Sequence, residues 1–256
     1  MNGWSLFGAN LALLVVLLSV AAVPSFRTKD ASYIDGLWGL GFVVVALSSY
    51  LLTDDHDARG VALLVLTSVW GLRLATYLFA RWRCNGPDRR YQAMFGERPS
   101  NVRLWSRVFV TQAVILSLVS LPVQLGMAYD GSLTPVNLLG VLVALTGIGF
   151  ETLADGQLAA FKRDPANHGR VMDRGLWRLS RHPNYFGESV TWCGMALVAL
   201  GAGVSAVGLL GPVLITVFLL TKSGIGPLER QLTRTKPAYV DYVARTSAFV
   251  PRPPRG

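Results

Sequence analysis

The stretch RHPNYFGESVTW, residues 181–192, lies where a basic loop runs into an apolar segment. Asn184 and Glu188 are four residues apart in it, and Trp192 follows one helical turn later. On an α-helix this spacing places the three side chains on one face. A glutamate inside an apolar span is unfavourable unless it has a partner or a function. The stretch therefore predicts a helix that enters a membrane and carries a functional polar face.

The composition of the whole chain agrees with a membrane protein. Of its 256 residues 52% are hydrophobic and 15% are charged, and the mean hydropathy is +0.41, which is too apolar for an ordinary soluble domain. A span needs roughly 20 apolar residues. We predict an all-α bundle of seven transmembrane helices, formed by one domain over residues 1–256. The predicted spans are 5–23, 33–52, 60–80, 106–126, 135–157, 187–200 and 204–224.

The charges predict the orientation of the bundle. The net charge is +9, but the basic residues occupy alternate loops, which explains them by topology and not by nucleic-acid binding. They concentrate in 24–32, 81–105, 158–186 and the tail from 225. The N-terminus is then outside and the C-terminus cytoplasmic, in a multi-pass membrane protein. Two cysteines and three histidines, all scattered, predict neither a disulfide framework nor a metal site.

Polar and ionisable side chains inside the predicted spans indicate where a site lies. Several recur at i and i+4, so both members share a helix face. Most fall in the predicted cytoplasmic halves, which favours one polar cavity open to the cytoplasm. The alternative is structural pairing within the bundle, such as Arg73 with Glu151. The residues are Asp35, Arg73, Tyr77, Glu151, Asp155, Asn184, Glu188 and Lys222.

The loop before residue 183 is strongly basic. Guanidinium groups bind phosphates through paired hydrogen bonds, so an anionic cofactor head would suit it, with amide and carboxylate groups deeper in the cavity. A nicotinamide dinucleotide fits that order. A G-x-G-x-x-A match at 201–206 follows no strand and is a chance match, so the predicted site is not of the Rossmann type. The alternative for these arginines is contact with anionic membrane lipids.

Four elements carry a resemblance to a known family: ETLADGQLAAFK, GLWRLSRHPNYFGESVTW, LLTKSGIGPLE and YVDYVARTSAFVPRPP. They resemble the bacterial branch of the steroid 5-alpha-reductase family, membrane proteins with a domain of unknown function related to that reductase's C-terminal domain. The resemblance covers most of the chain from residue 33. It implies a seven-helix bundle with the cofactor-binding half at about 151–256. It also implies NADPH in a cytoplasm-facing cavity and hydride delivery to a conjugated enone.

The resemblance also implies roles for individual residues. Asn184 and Glu188 match the residues that hold the nicotinamide end of the cofactor. Tyr77 matches the tyrosine that polarises the substrate carbonyl together with an acid, here Asp35, which is one carbon shorter than the family's glutamate. The implied catalytic residues are Asp35 and Tyr77. Together, the resemblance, the polar groups in the spans and the basic loop predict these cofactor-binding residues: Arg73, Glu151, Asp155, Lys162, Asn167, Arg170, Arg181, His182, Asn184, Tyr185, Glu188, Trp192 and Lys222.

Two other functions remain open from the sequence. Membrane methyltransferases that act on isoprenylcysteine or phospholipids carry a similar Arg-His-Pro-x-Tyr element and a later glutamate, and they bind S-adenosylmethionine. Arg181, His182 and Glu229 would serve that function. A lipid-binding or transport bundle is the third alternative, but we find no inverted repeat of the kind that transporters show. The substrate is expected to be lipophilic; sterol, polyprenyl and fatty acyl enones remain open, and no oligomeric state is indicated.

Overall fold

The computed structural model describes residues 1–54, 57–86, 91, 96, 99–129, 131–200, 206–221 and 224–255. These residues form helices and no strand, apart from one isolated bridge between Ser180 and Ser247. The chain folds as two compact units, the first formed by 1–138 with 195–211 and the second by 139–194 with 212–256. The expectation of an all-helical protein is confirmed for the described part of the chain.

The first half of the chain forms seven α-helices and one π-helical segment among the described residues, as follows. They are α1 Gly3–Ala21, α2 Val23–Thr28, α3 Ile34–Leu52, α4 Ala58–Asn85, α5 Asn101–Leu104, the π-helix Trp105–Val110, α6 Thr111–Val119 and α7 Leu121–Ala128. Helices α3 and α4 approach closely at Gly39 and Gly71, since a Cβ on Gly71 would lie 2.6 Å from the Gly39 carbonyl oxygen. Small residues allow this contact in a membrane bundle, where close backbone packing stabilises helix pairs.

The second half forms long and short helices in alternation. They are α8 Pro135–Arg163, a 3₁₀ turn Pro165–Asn167, α9 Leu176–Leu179, α10 Pro183–Ala199, a 3₁₀ turn Ala206–Leu209, α11 Leu210–Leu220, α12 Ile225–Thr235 and α13 Tyr239–Arg245. Helix α10 begins at a proline, a residue that suits the first turn because it lacks the N–H that would remain unbonded there.

Five helices are long and apolar enough to cross a membrane. They are Gly3–Ala21, Ile34–Leu52, Ala58–Cys84, Asn101–Val119 and Pro135–Arg163, and they correspond to the first five predicted spans. The predicted sixth span is helix α10, with 17 residues. The predicted seventh includes the apolar helical stretch Val207–Leu220, which is also shorter. The chain is thus an apolar helical protein with five helices of membrane-spanning length in its described part.

A neutral polar cluster lies inside the first unit. The amide of Asn10 donates to the Ser49 hydroxyl at 2.9 Å and to the Gln124 side-chain oxygen at 3.0 Å. The Ser48 hydroxyl donates to the Asn10 amide oxygen. Gln124 donates in turn to the Ser120 hydroxyl at 2.8 Å. Because Asn10, Ser49 and Gln124 are fully buried, these bonds join α1, α3 and α7 without exposing a polar atom to lipid.

In the second unit the C-terminal tail lies along the loop before α10. The Arg181 amide donates to the Ser247 carbonyl at 2.8 Å, and the Arg252 amide donates to the Leu179 carbonyl at 2.9 Å. The Ser180 hydroxyl donates to the Phe249 carbonyl at 2.8 Å. The residues of this tail, 246–255, therefore complete the surroundings of the Arg-His-Pro element.

Candidate functional site

The site is built on the antiparallel pairing of α8 and α10. A Cβ on Gly147 would lie 2.7 Å from the Gly187 carbonyl oxygen, and a Cβ on Gly187 would lie 2.7 Å from the Glu151 amide nitrogen. Gly194 likewise contacts Ala144. One turn toward the C-terminal end of α8 thus lies against one turn toward the N-terminal end of α10. The missing side chains let the two backbones touch, and this sets the register of the polar groups near the loop.

The polar groups meet about one turn before Gly187 on α10, near the basic loop. The Asn184 side-chain amide donates to an Asp155 carboxylate oxygen at 3.2 Å. Asp155 is 3% exposed and Glu151, one turn earlier on α8, is 1% exposed. Glu188, one turn after Asn184 on α10, is 6% exposed. Three carboxyl groups and one amide therefore occupy two turns of two neighbouring helices. Buried acids in a membrane protein are candidates for a functional site.

The end of α8 and the short helix α9 hold this region in place. The Trp177 indole N–H donates to the Ala154 carbonyl at 2.9 Å. The Gln157 side-chain oxygen accepts from the Leu176 amide at 3.0 Å. Gly175 precedes α9 with a φ of +56°, and a Cβ there would lie 2.6 Å from that same Gln157 oxygen. The position therefore requires glycine for both its backbone conformation and its space.

The Arg-His-Pro element contacts Glu229 on α12. Arg181 donates to both Glu229 carboxylate oxygens, from Nε at 2.7 Å and from Nη2 at 3.2 Å. Its Nη1 donates to the carbonyls of Val243 at 3.1 Å and Thr246 at 2.5 Å. The Nε2 atom of His182 lies 3.0 Å from a Glu229 oxygen. A bidentate guanidinium–carboxylate pair has a fixed geometry. This pair holds α12 against the loop, and the two carbonyl contacts of Arg181 hold the start of the tail there.

This cluster strongly affects the acid at its centre. Burial alone would raise the pKa of Glu229, but the hydrogen bonds from His182 and Arg181 and their charges outweigh it and lower the pKa from 4.5 to about 2. Glu229 is therefore ionised at neutral pH. The ring of Tyr185 stacks on His182, with centroids 5.4 Å apart and planes 14° apart. Arg181 and His182, expected among the cofactor ligands, thus have a protein partner that the cofactor prediction did not include.

The basic residues between α8 and α10 are mostly exposed. The neutral Asn167 lies among them and shapes the turn after α8, since its amide donates to the Phe161 carbonyl at 3.1 Å and to Asp164 at 3.3 Å. The Arg170 carbonyl accepts from the Lys236 ammonium at 2.5 Å, while the Arg170 side chain is directed to solvent. The exposed cations are Lys162, Arg163, Arg170, Arg174 and Arg178.

The expected catalytic residues and Arg73 belong to the first unit. Asp35 lies in the first turn of α3 and accepts from the Tyr91 hydroxyl at 2.8 Å. Tyr77 and Arg73 are half-buried on α4. Tyr91 was missed by the sequence analysis, because a lone tyrosine in a basic loop resembles an ordinary interfacial aromatic. Trp192 is fully buried on α10, and Lys222 lies outside the described residues.

Comparison with known proteins identifies the family. Residues 5–246 match the family described as "Protein of unknown function (DUF1295)". The chain belongs to this family. DUF1295 is related to the steroid 5-alpha-reductase-like membrane proteins, which agrees with the resemblance seen in the sequence. The match includes α8, α10 and Glu229, the elements that build the site.

One curated relative is similar over part of this DUF1295 chain. It is the "Putative niacin/nicotinamide transporter NiaP" of Bacillus subtilis (strain 168), 29% identical over 118 residues. The alignment covers 44% of this chain and 28% of that protein, so the chain spans little more than a quarter of its relative's length. No solved structure matches the chain.

Proposed function

We propose that this protein is an NADPH-dependent membrane reductase of a conjugated carbon–carbon double bond in a lipophilic enone. In this proposal the bundle has seven spans in the bacterial inner membrane, with the N-terminus outside and the C-terminus cytoplasmic. The observation that carries it is the Asn184–Asp155 hydrogen bond, made between helices that also bury Glu151 and Glu188. These groups would hold the uncharged, hydrogen-bonding end of the cofactor.

The chemistry of these side chains suits a carboxamide and a ribose. Because Asn184 Nδ2 donates to Asp155, the amide oxygen of Asn184 is directed away from that carboxylate and can accept from the N–H of a nicotinamide carboxamide. Carboxylates such as Glu188 accept hydrogen bonds from ribose hydroxyls. The exposed cations of the loop, with Lys162 and Arg170 among them, would bind the phosphates. Arg181, paired to Glu229, would act by holding this loop in shape.

The reductive step would use the first unit's acid and tyrosine. Bound NADPH supplies a hydride for the β carbon of the enone. Tyr77 and a protonated Asp35 would donate hydrogen bonds to the enone oxygen and stabilise the negative charge that develops on it. One Asp35 oxygen already accepts from Tyr91 at 2.8 Å, so the other oxygen would carry the donated proton. Solvent or an acid protonates the α carbon.

Ligand-induced stabilisation tests the cofactor. The purified full-length protein in detergent is heated with NADPH, NADH, S-adenosylmethionine or free nicotinamide. A ligand at 100 times its Kd stabilises by about 2.7 kcal/mol, so NADPH should raise the melting temperature most. Asn184→Ala should abolish that rise, whereas Thr146→Val, a change on the exposed side of α8, should retain it. Stabilisation by S-adenosylmethionine alone would overturn the proposal.

Turnover tests the chemistry separately from binding. With NADPH and a panel of lipophilic enones, oxidation is followed by the loss of reduced-nicotinamide absorbance. Asp35→Ala and Tyr77→Phe should lose turnover and keep NADPH stabilisation. If both variants reduce an enone at the wild-type rate, these residues have no part in the reaction. Lipid profiling of a deletion strain, for an accumulated unsaturated species, would identify the natural substrate.

A second function is supported by the contact of Arg181 and His182 with Glu229. In the membrane methyltransferases described above, an Arg-His-Pro-x-Tyr element and a later glutamate belong to the S-adenosylmethionine site. The two functions differ in their cofactor, so the same thermal comparison separates them. In a methyltransferase Glu229→Gln should abolish S-adenosylmethionine stabilisation at a temperature where the variant is folded. In the reductase it should leave NADPH as the preferred ligand.

A further inference from the structure

The C-terminal tail and the loop before α10 enclose a basic cleft in the second unit. Two cavities of about 310 and 260 Å³ adjoin there and share Arg245, Thr246 and Arg255. Arg178 lines the first cavity and Arg252 lines the second. We refer to these two cavities together as the arginine cleft. The first reaches the lower end of the size range of small-molecule sites, which begins at about 300 Å³.

The charges of the arginine cleft are unbalanced. Arg245 pairs with Asp173 at 2.6 Å, and Arg181, at the edge of the second cavity, pairs with Glu229. Among the residues that the structure describes, no carboxylate forms an ion pair with Arg178, Arg252 or Arg255. Like charges held together repel one another, so the cleft favours an anion that would neutralise them.

Backbone hydrogen bonds order the tail segment that carries Arg252 and Arg255. The Arg252 amide donates to the Leu179 carbonyl, and the Arg255 amide donates to the Arg245 carbonyl, both at 2.9 Å. Prolines at 251, 253 and 254 further restrict the chain because their rings fix φ. A ligand would therefore bind without first ordering the tail, which lowers the entropic cost of binding.

The negative end of α13 does not oppose an anion in the cleft. Helix C-termini carry unbonded carbonyls and partial negative charge. Here the Arg181 guanidinium donates hydrogen bonds to the Val243 and Thr246 carbonyls. The Thr246 amide donates to the Tyr242 carbonyl at 3.0 Å. The guanidinium groups of Arg178, Arg252 and Arg255 are then available to a ligand. Their planar, forked donors match phosphate oxygens in pairs.

We propose that the arginine cleft binds the phosphate group of an organic phosphate. Two sources share this chemistry: a phosphorylated nucleotide in the cytoplasm and the headgroup of an anionic phospholipid. The proposal goes beyond the reductase function, since it requires neither a nicotinamide nor a redox reaction. It also differs from the predicted use of the loop cations, because the tail residues Arg252 and Arg255 were assigned no role there.

The test uses the full-length protein in a neutral detergent and inorganic pyrophosphate as the probe. Binding is measured by calorimetric titration at low salt, where screening is weak. The double variant Arg252→Gln and Arg255→Gln should weaken binding about tenfold or more, since charge-assisted hydrogen bonds are the strong ones. Arg234→Gln removes an exposed arginine of α12 and should leave the Kd unchanged. Equal loss in both variants, or no binding to the wild type, overturns the proposal.

Competition then distinguishes the two sources. Displacement of pyrophosphate by ADP-ribose 2′-phosphate indicates a nucleotide. Displacement by dihexanoyl phosphatidylglycerol, with dihexanoyl phosphatidylcholine as the control, indicates a lipid. Displacement by neither would reject an organic phosphate as the ligand. Asn184→Ala keeps the failure of this proposal separate from that of the reductase, because it should lose NADPH stabilisation and retain pyrophosphate binding.

Discussion

The two units bury polar side chains in different ways. In the first unit the cluster around Asn10 consists of amides and hydroxyls that satisfy one another at 2.8–3.0 Å. In the second unit the buried polar groups include three carboxyl groups, those of Glu151, Asp155 and Glu188. The partly exposed carboxylate of Glu229 is held by two bases. Neutral groups that hydrogen-bond to one another hold helices together. Carboxylates near a basic loop can accept hydrogen bonds from a ligand and exchange protons, which is why the proposed cofactor site is placed in the second unit.

The largest effect should follow from neutralising Glu229. Glu229→Gln leaves Arg181, whose side chain is 9% exposed, without its counter-charge. Breaking a buried pair costs about 3–5 kcal/mol, and we expect about 3 kcal/mol because Glu229 is partly exposed. Detergent unfolding titration measures the change. The matched control is Asp173→Asn, which removes the exposed pair with Arg245 and should change stability by about 0–1 kcal/mol. Equal losses of stability in the two variants would show that Glu229 does not hold α12 and the tail against the loop.

Filling the contact between α8 and α10 should have the next largest effect. Gly187→Ala places a methyl group 2.7 Å from the Glu151 amide nitrogen, so the helices must separate. Overpacking of this kind costs about 1–3 kcal/mol. The change should also weaken NADPH stabilisation, since the Asn184–Asp155 contact depends on the same register. Gly156→Ala is the control, because its Cβ would meet nothing within 4 Å; if it destabilises as much, the register argument fails.

The neutral cluster should respond less, and without a functional consequence. Asn10→Ala leaves Ser49 and Gln124 without one bond each, and polar contacts in membrane bundles average about 0.6 kcal/mol. We therefore expect a loss of about 1 kcal/mol, measured in the same unfolding titration. Thr76→Val, an exposed change on α4, should be silent. Ligand stabilisation should be unchanged in both variants, and its loss in Asn10→Ala would mean that the first unit's cluster belongs to the site.

The same carboxylate should also make the stability of the protein depend on pH. The pKa of Glu229 is lowered from 4.5 in the unfolded chain to about 2 in the folded one. Its contribution to stability is therefore complete above pH 4.5 and is lost as the pH falls toward 2. The wild type should lose stability over this window more steeply than Glu229→Gln. Parallel curves for the two proteins would show that the carboxylate is not stabilised by its neighbours.

The sequence predicted which side chains share a helix face better than it predicted which residues contact one another across the fold. Hydropathy identified the long helices, and the i,i+4 spacing placed Asn184 and Glu188 on one face of the helix that begins at Pro183. Periodicity could not pair Glu229 with Arg181, because the two residues are 48 positions apart; only the resemblance to the membrane methyltransferases named Arg181, His182 and Glu229 together. Nor could periodicity find the Tyr91–Asp35 contact. The register of α8 and α10 depends on glycines whose effect appears only when two backbones meet.

The tail that lies beside the Arg-His-Pro loop constrains the order in which the protein folds during synthesis. The hydrogen-bond partners of the Arg181 side chain lie 48 to 65 residues further along the chain. While the ribosome is still adding those residues, the loop is exposed with its guanidinium group unbonded to them. The second unit can therefore mature only after residues up to Thr246 have been synthesised. Chains that stall or are cut before this point should be recognised by quality-control proteases even where their apolar helices are already inserted.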